Sequence, residues 1–196
     1  MNFEVLSALI VFAFVSSITP GPNNLMLMNS GANFGFKKTI PHMLGVGIGF
    51  TLMIALVGLG VIKLFDTFPL SYEILKVLSI LYLLYLAFKI ASSTGNIEQR
   101  SSSAKPFNFI QAALFQWVNP KAWTMALTSI SIYAPSKDLS AVLLVAMVFG
   151  IVNLPCISFW IVLGQKIKVL LTDLKRLRAF NISMALLLIL SLYPAL

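Results

Sequence analysis

Apolar residues run along this chain in long blocks separated by short polar ones, at 3–28, 43–62, 74–90, 107–133, 139–163 and 179–196. Most of these blocks are close to the roughly 20 residues that carry an α-helix across the hydrocarbon core of a bilayer. None alternates apolar and polar positions as the strands of a membrane barrel do. Lipid offers the backbone no hydrogen-bond partner, so a continuously apolar segment of this length must satisfy its own amides, which a helix does. The pattern predicts an all-α, polytopic membrane protein with six transmembrane helices. The first block carries Glu4 where a secretory signal would be basic and continues past any plausible cleavage point, so it reads as a retained span.

Composition sharpens the picture. The chain is 59% hydrophobic and 10% charged, against roughly 25% charged in soluble domains. Its formal net charge is +8, but in a membrane chain the informative quantity is the distribution of Lys and Arg among the loops. The connections after the first, third and fifth blocks hold Lys37, Lys38, Lys89, Arg100, Lys105, Lys166, Lys168, Lys175, Arg176 and Arg178, whereas the opposite face holds Lys63, Lys76 and Lys137. The positive-inside rule makes the first set cytoplasmic and puts both termini outside. The basic excess is then topological, and nucleic acid is not expected as a partner. Tyr72, Tyr133 and Tyr193 fall at block ends and read as interface anchors. His42, beside Pro41 and close to Lys38, reads as a loop residue on the cytoplasmic face.

Ser-rich residues 92–106 read as a flexible cytoplasmic linker. They divide the chain into residues 1–91 and residues 107–196, each with three spans. An odd number of spans per half turns the second half upside down relative to the first, and a short self-similarity supports kinship: "SSITPGPNNLML" from Ser16 and "QWVNPKAWTMAL" from Gln116. In each, a polar residue precedes a proline inside the first long block of its half. Interrupted hydrophobic segments at corresponding places in two halves mark inverted-repeat transporters. The expected architecture is two inverted 3+3 repeats with broken first and fourth helices.

Proline inside a helix removes a donor and clashes with the carbonyl four residues back, at about 3 kcal/mol or more. Residues before proline are also pushed from helical angles. Pro20, Gly21 and Pro22 therefore predict a break, and Asn119–Pro120 a second. Backbone groups freed at membrane depth must be satisfied by protein or by a watered cavity, and a half-helix that starts there presents free N–H groups to an anion. Asn23, Asn24, Gln116 and Asn119 add amide donors and acceptors. Lys121, bracketed by Trp117 and Trp123, has no carboxylate at depth to pair with, and an ionisable group within a span is by default a functional candidate. Asn153, in "VNLPC", is a further lining candidate. The predicted substrate-binding set is Pro20, Gly21, Pro22, Asn23, Asn24, Gln116, Asn119, Pro120, Lys121 and Asn153. Purely architectural readings stand beside this one: kinks tolerated by neighbouring helices, Asn bridges between helices, and a Lys121 that snorkels to the interface.

Other chemistries find little footing. The single cysteine, Cys156, excludes an intramolecular disulfide. No P-loop is present, no ligand set suggests a metal site, and no nucleophile–base pairing assembles. A catalytic role and a cofactor are not expected.

Three segments carry a family resemblance: "TPGPNN", "GFKKT" followed by the glycine-rich "HMLGVGIGF", and "FQWVNPKAW" opening the second half. Together, and over essentially the whole chain, they resemble the LysE/RhtB superfamily of bacterial amino-acid exporters. The resemblance implies an inner-membrane, six-helix secondary transporter that expels amino acids or related metabolites using the proton gradient. The Asn-Asn ending and the second-half motif are most similar to the cysteine and O-acetylserine branch, although the same framework serves lysine, threonine, homoserine and leucine exporters. Some relatives carry an acidic residue in the second span, and this chain has none there, which disfavours a cationic substrate. The expected partners are a small amino acid, protons as coupling ion and membrane lipid. Gly31, Gly35, Gly45 and Gly49 form small-residue ridges that permit a homodimer. Two rival readings remain open at this point: a membrane-embedded scaffold, and a cation exporter of the same 3+3 layout.

Overall fold

A computed structural model describes residues 2–61, 67–92, 106–134, 136, 138–171 and 173–191. Most of the expected linker, together with Lys63, Arg100, Lys105, Lys137 and Tyr193 and the side chain of Tyr72, lies outside the described residues. The described residues form helices and contain no strand. In chain order these are α1 (Phe3–Ile18), α2 (Pro22–Phe34), α3 (Phe36–Leu56), α4 (Pro69–Ala91), α5 (Phe109–Phe115), α6 (Pro120–Tyr133), α7 (Leu139–Ile167) and α8 (Leu174–Leu190). A π-helical turn (Val57–Val61) continues α3, and a 3₁₀ turn (Gln116–Val118) continues α5.

Local chemistry explains the boundaries. Asn2 caps α1 by accepting the Val5 amide at 3.0 Å, and Asp173 caps α8 by accepting from Arg176 at 2.8 Å. Asn108 and Gln111 form a reciprocal capping box at the start of α5. Pro22 and Pro120 each occupy the first turn of a helix, where the missing N–H has no intrahelical partner to lose. The turn between α2 and α3 is made by Gly35, whose φ of 79° favours glycine.

By length and composition, α3 with its π turn, α4 and α7 are each apolar enough to cross a membrane. The pair α1 and α2, bent by 53° at the break, makes a fourth candidate span. The remaining segments, α5 with its 3₁₀ turn, α6 and α8, are shorter. The exterior is strongly apolar: Phe88, Ile151, Leu70 and Leu190 are among many large side chains more than half exposed, far beyond the apolar patches of a soluble monomer. The surface is built to face lipid.

α7 organises the interior. It packs against α1, α2 and α3, while α3 also packs against α5 and α6, and α4 pairs with α8. Thus α1 and α2 lie on α7, and α5 and α6 lie on α3. The α2–α7 crossing is a backbone-to-backbone approach: a Cβ on Gly164 would strike the Met28 carbonyl, and one on Gly31 the Ile161 carbonyl. Three apolar clusters result. One centres on Phe50, Met53, Trp123 and Phe149, another on Leu83, Phe115, Trp160 and Leu188, and a smaller third on Leu27, Val46 and Ile157.

One expectation needs correction and another is extended. His42 is not in a loop: it lies inside α3, 2% exposed, its ring 5.3 Å from that of Phe107 and both ring nitrogens without a hydrogen-bond partner. The paired lysines and Pro41 disguise the helix start. Pro41 falls in the second turn, where the carbonyl it deprives belongs to exposed Lys37, so α3 begins seven residues ahead of its apolar block. Tyr133 is more than an interface anchor, because its hydroxyl donates to the Ala8 carbonyl at 3.3 Å and its ring meets Phe12.

Candidate functional site

A helix that ends inside the molecule leaves its last carbonyls without intrahelical partners, and α1 ends at mid-chain of a bent span. The Thr19 hydroxyl turns back to the Val15 carbonyl. The next carbonyls are met by side chains from elsewhere. Asn24 Nδ2, one turn into α2, donates to both Ser17 O and Thr19 O at 2.8 Å. Trp160 Nε1, from α7, donates to Ile18 O at 3.0 Å. Lys121 Nζ, at the start of α6, donates to Thr19 O at 2.6 Å and reaches Pro20 O at 3.3 Å. Gly21 O then accepts the Leu25 amide at 2.9 Å and opens α2.

The second break is capped by its own residues. Asn119, extended at φ −97° and ψ 108°, accepts the Lys121 amide on its side-chain oxygen at 3.2 Å. Its own amide closes the 3₁₀ turn onto Gln116 O. Trp123 Nε1 donates to Trp117 O at 2.9 Å, and the two indoles meet edge to face at 5.8 Å.

The breaks touch. Asn23 Nδ2 donates to Gln116 Oε1 at 2.8 Å and Gln116 Nε2 returns a bond to Asn23 Oδ1 at 3.1 Å, forming a reciprocal amide pair across 93 residues of sequence. Gln116, fully buried, uses its remaining donor on Ala112 O. The Lys121 bridge to Thr19 and Pro20 is a second tie between halves. Gly21 makes room for it: a Cβ at that position would lie 2.6 Å from Lys121 Cδ. The ammonium has no carboxylate beside it among the described residues. It rests against the carbonyl end of α1, where the helix dipole favours a cation.

Gly21, Asn23, Asn24, Asn119, Lys121 and Asn153 line a small polar cavity of about 30 Å³, together with Ser16, Ser17, Phe50, Ala122 and Met125. By that measure the space suits about two waters. Ser17, buried, has a hydroxyl oxygen with no hydrogen-bond partner at this cavity. Pro20, Pro22 and Pro120 instead line a larger neighbouring cavity, which Gly21 and Lys121 also border. Gln116 lines neither and serves as a strut between the breaks.

Sequence reasoning missed Ser17 and Trp160. Ser17 carries no local signal, since a serine within an apolar run usually returns its hydroxyl to its own helix. Trp160 lies 142 residues from the carbonyl that it caps. Among the described residues no group of three or more His, Cys, Asp or Glu is placed to hold a metal ion.

Comparison with known proteins agrees with this architecture. The profile described as "LysE type translocator" matches residues 14–191. The chain is 27% identical over 191 residues to the cysteine/O-acetylserine efflux protein of Escherichia coli strain K12 and to that of strain O139:H28, covering 96% of each chain. It is 27% identical over 187 residues to the cysteine/O-acetylserine efflux protein of Shigella flexneri, covering 94% of each. No solved structure matches. With nearly its whole length matched, the chain belongs to the LysE type translocator family, a family of transporters rather than enzymes.

Proposed function

We propose that this protein exports a small neutral amino acid or derivative, of the cysteine and O-acetylserine kind, across the bacterial inner membrane in exchange for protons. The observation that carries the reading is the meeting of two broken helices over a polar cavity, with a cation from one resting on the carbonyls of the other. Family membership and the names of the similar proteins support the transport class.

A zwitterion suits this chemistry. Its carboxylate draws the Lys121 ammonium from the Thr19 and Pro20 carbonyls, and its own ammonium takes the acceptors that Lys121 vacates. One cation replaces another at the end of α1, so no carbonyl is stranded at depth, where an unsatisfied group costs about 1–3 kcal/mol. Asn24 and the orphan Ser17 hydroxyl are placed to complete the shell. The cavity of about 30 Å³ is too small for an amino acid, so this geometry represents a closed state and loading requires the halves to separate.

The six-span, inverted 3+3 reading, with residues 92–106 as linker and both termini outside, belongs to the same proposal. Its support is the reciprocal packing of each broken segment on the other half's middle helix, the antiparallel α4–α8 pair, and the loop distribution of Lys and Arg. In this scheme α5 with α6 makes the fourth span and α8 the sixth. Alternating access is then a rocking of one half against the other, broken and remade at Asn23–Gln116 and Lys121–Thr19.

Purified protein in proteoliposomes with an imposed pH gradient tests the function. Labelled O-acetylserine is expected to move, and to move faster with the gradient than without. A preparation that carries no neutral amino acid under either condition refutes the substrate assignment, and gradient-independent flux refutes the proton coupling.

A further inference from the structure

The Lys121 stem is a partition. On one side lies the small polar cavity, and on the other a cavity of about 660 Å³ between the two breaks and the pair α4–α8. That volume falls within the roughly 300–1,000 Å³ of small-molecule sites. Its polar lining is of two kinds. Two ammonium groups border it, Lys121 and Lys76, with no carboxylate. Four hydroxyl residues also border it: Thr19 bonds to the Val15 carbonyl, and Ser79, Thr124 and Ser191 each have a hydrogen bond to a carbonyl of their own helix, at 2.6, 3.1 and 2.6 Å to Leu75, Pro120 and Leu188. A hydroxyl that has donated its proton keeps acceptor lone pairs.

Lys76 needs an explanation of its own. It sits within the apolar stretch Glu73–Ala91, is half-buried, and makes no ion pair or hydrogen bond among the described residues. It also lies on the face where Lys and Arg are sparse, so topology does not account for it. Lysine near the end of a span reaches outward to headgroups and water or lines a watered pathway, and Lys76 borders the cavity.

We propose that the larger cavity is a second substrate station, in which Lys76 holds the carboxylate of a zwitterionic amino acid and the hydroxyl oxygens of Ser79, Thr124 and Ser191 accept from its ammonium. Lys121 borders both chambers and passes the carboxylate from the inner one to the outer one. Gly21 belongs to the same device, because any side chain there would block the swing of the lysine stem. The start of α4 and the end of α8 border this chamber, so on the loop-charge reading it opens to the outside and is the release station. The ligand class rests on the transport reading above, but the charge of the chamber does not.

The two are separated by one experiment. Leu127, one turn beyond Thr124, also borders the chamber. In the Leu127→Cys, Cys156→Ser protein, labelling is timed with a sulfonate-bearing and a trimethylammonium-bearing thiosulfonate of similar size. Relative to a free thiol, the anionic reagent is expected to gain about tenfold through the field of the two lysines, and Lys76→Gln, checked for unchanged abundance, is expected to remove most of the gain. O-acetylserine, but not its methyl ester, is expected to slow labelling in the Lys76 protein. Equal rates for the two reagents, or a preference that survives Lys76→Gln, overturn the charged chamber. No protection by O-acetylserine in a preparation that transports it overturns the second station. No protection together with no transport overturns the proposed function, and the assignment of the ligand with it, while a charge preference that depends on Lys76 leaves the chamber's electrostatics standing.

Discussion

The two breaks share a proline in the first turn of the following helix and little else. The first, "TPGPNN", exposes a run of carbonyls that its own residues satisfy only in part. Ile18 and Pro20 depend on Trp160 and Lys121, side chains 142 and 101 residues away in sequence, and Thr19 shares Lys121 with the nearby Asn24. The second, "WVNPK", is stabilised by the Asn119 cap, a 3₁₀ turn and Trp123 within a few residues. One break supplies acceptors and the other a cation on a locally rigid base. The two segments therefore make complementary contacts, and on the proposed function the one with borrowed partners is the one that a ligand rewires.

Three experiments test that contrast and a fourth serves as its control, and the largest effect is expected at the shared lysine. Lys121→Ala strands the Pro20 carbonyl, leaves Thr19 O to Asn24 alone, and removes the only cation among the described residues that line the inner cavity. Loss of a charged hydrogen bond is worth about 1.5–3 kcal/mol, so initial transport rates in proteoliposomes should fall at least tenfold, toward a hundredfold, with abundance near normal. A normal rate would show that Lys121 only braces the fold.

Next comes Asn24→Ala against Asn119→Ala. The first leaves the buried Ser17 carbonyl unpaired, at about 1–3 kcal/mol, and takes one of two donors from Thr19 O, whereas the second deletes one helix cap at about 0.5–2 kcal/mol. Thermal denaturation in detergent should show the larger loss for Asn24→Ala, and the reverse order would make the second break the fragile one. Smaller again is the coupling between Asn23 and Gln116. A double-mutant cycle to Ala should return roughly 0.6–2 kcal/mol, the range of hydrogen bonds between membrane helices, and a value near zero would remove this tie from the gating scheme.

The smallest effect is expected at His42, which belongs to neither break. Its two buried nitrogens bond to nothing in the described residues, so His42→Leu should leave the melting temperature unchanged or slightly raised, with transport intact. A large loss of transport with normal stability would instead give the imidazole a role in proton movement.

Much of the site was legible because proline and unpaired charge are local facts. Pro20, Pro22 and Pro120 forbid helix continuity whatever surrounds them, and Lys121 is anomalous within its own apolar block. His42 was misread for a related reason, since two lysines and a proline imitate a loop when the exposed first turns of a helix tolerate all three. The span count was legible as block lengths, yet the structure divides blocks into shorter pieces, and the described parts of α6 and α8 are shorter than the three clear candidate spans.

The sequence by itself determined that this is a helical membrane protein, that two of its helices are interrupted, and which polar residues sit at the interruptions, because hydropathy and proline stereochemistry act within a few residues. Only the tertiary structure decided which donor meets which carbonyl, that Gln116 is a strut and Ser17 an orphan, and that the Lys121 stem crosses Gly21 to divide two chambers. Those outcomes depend on how α7 brings α2 and α3 together, through glycine contacts between segments far apart in the chain, and no local pattern encodes which distant surfaces will fit.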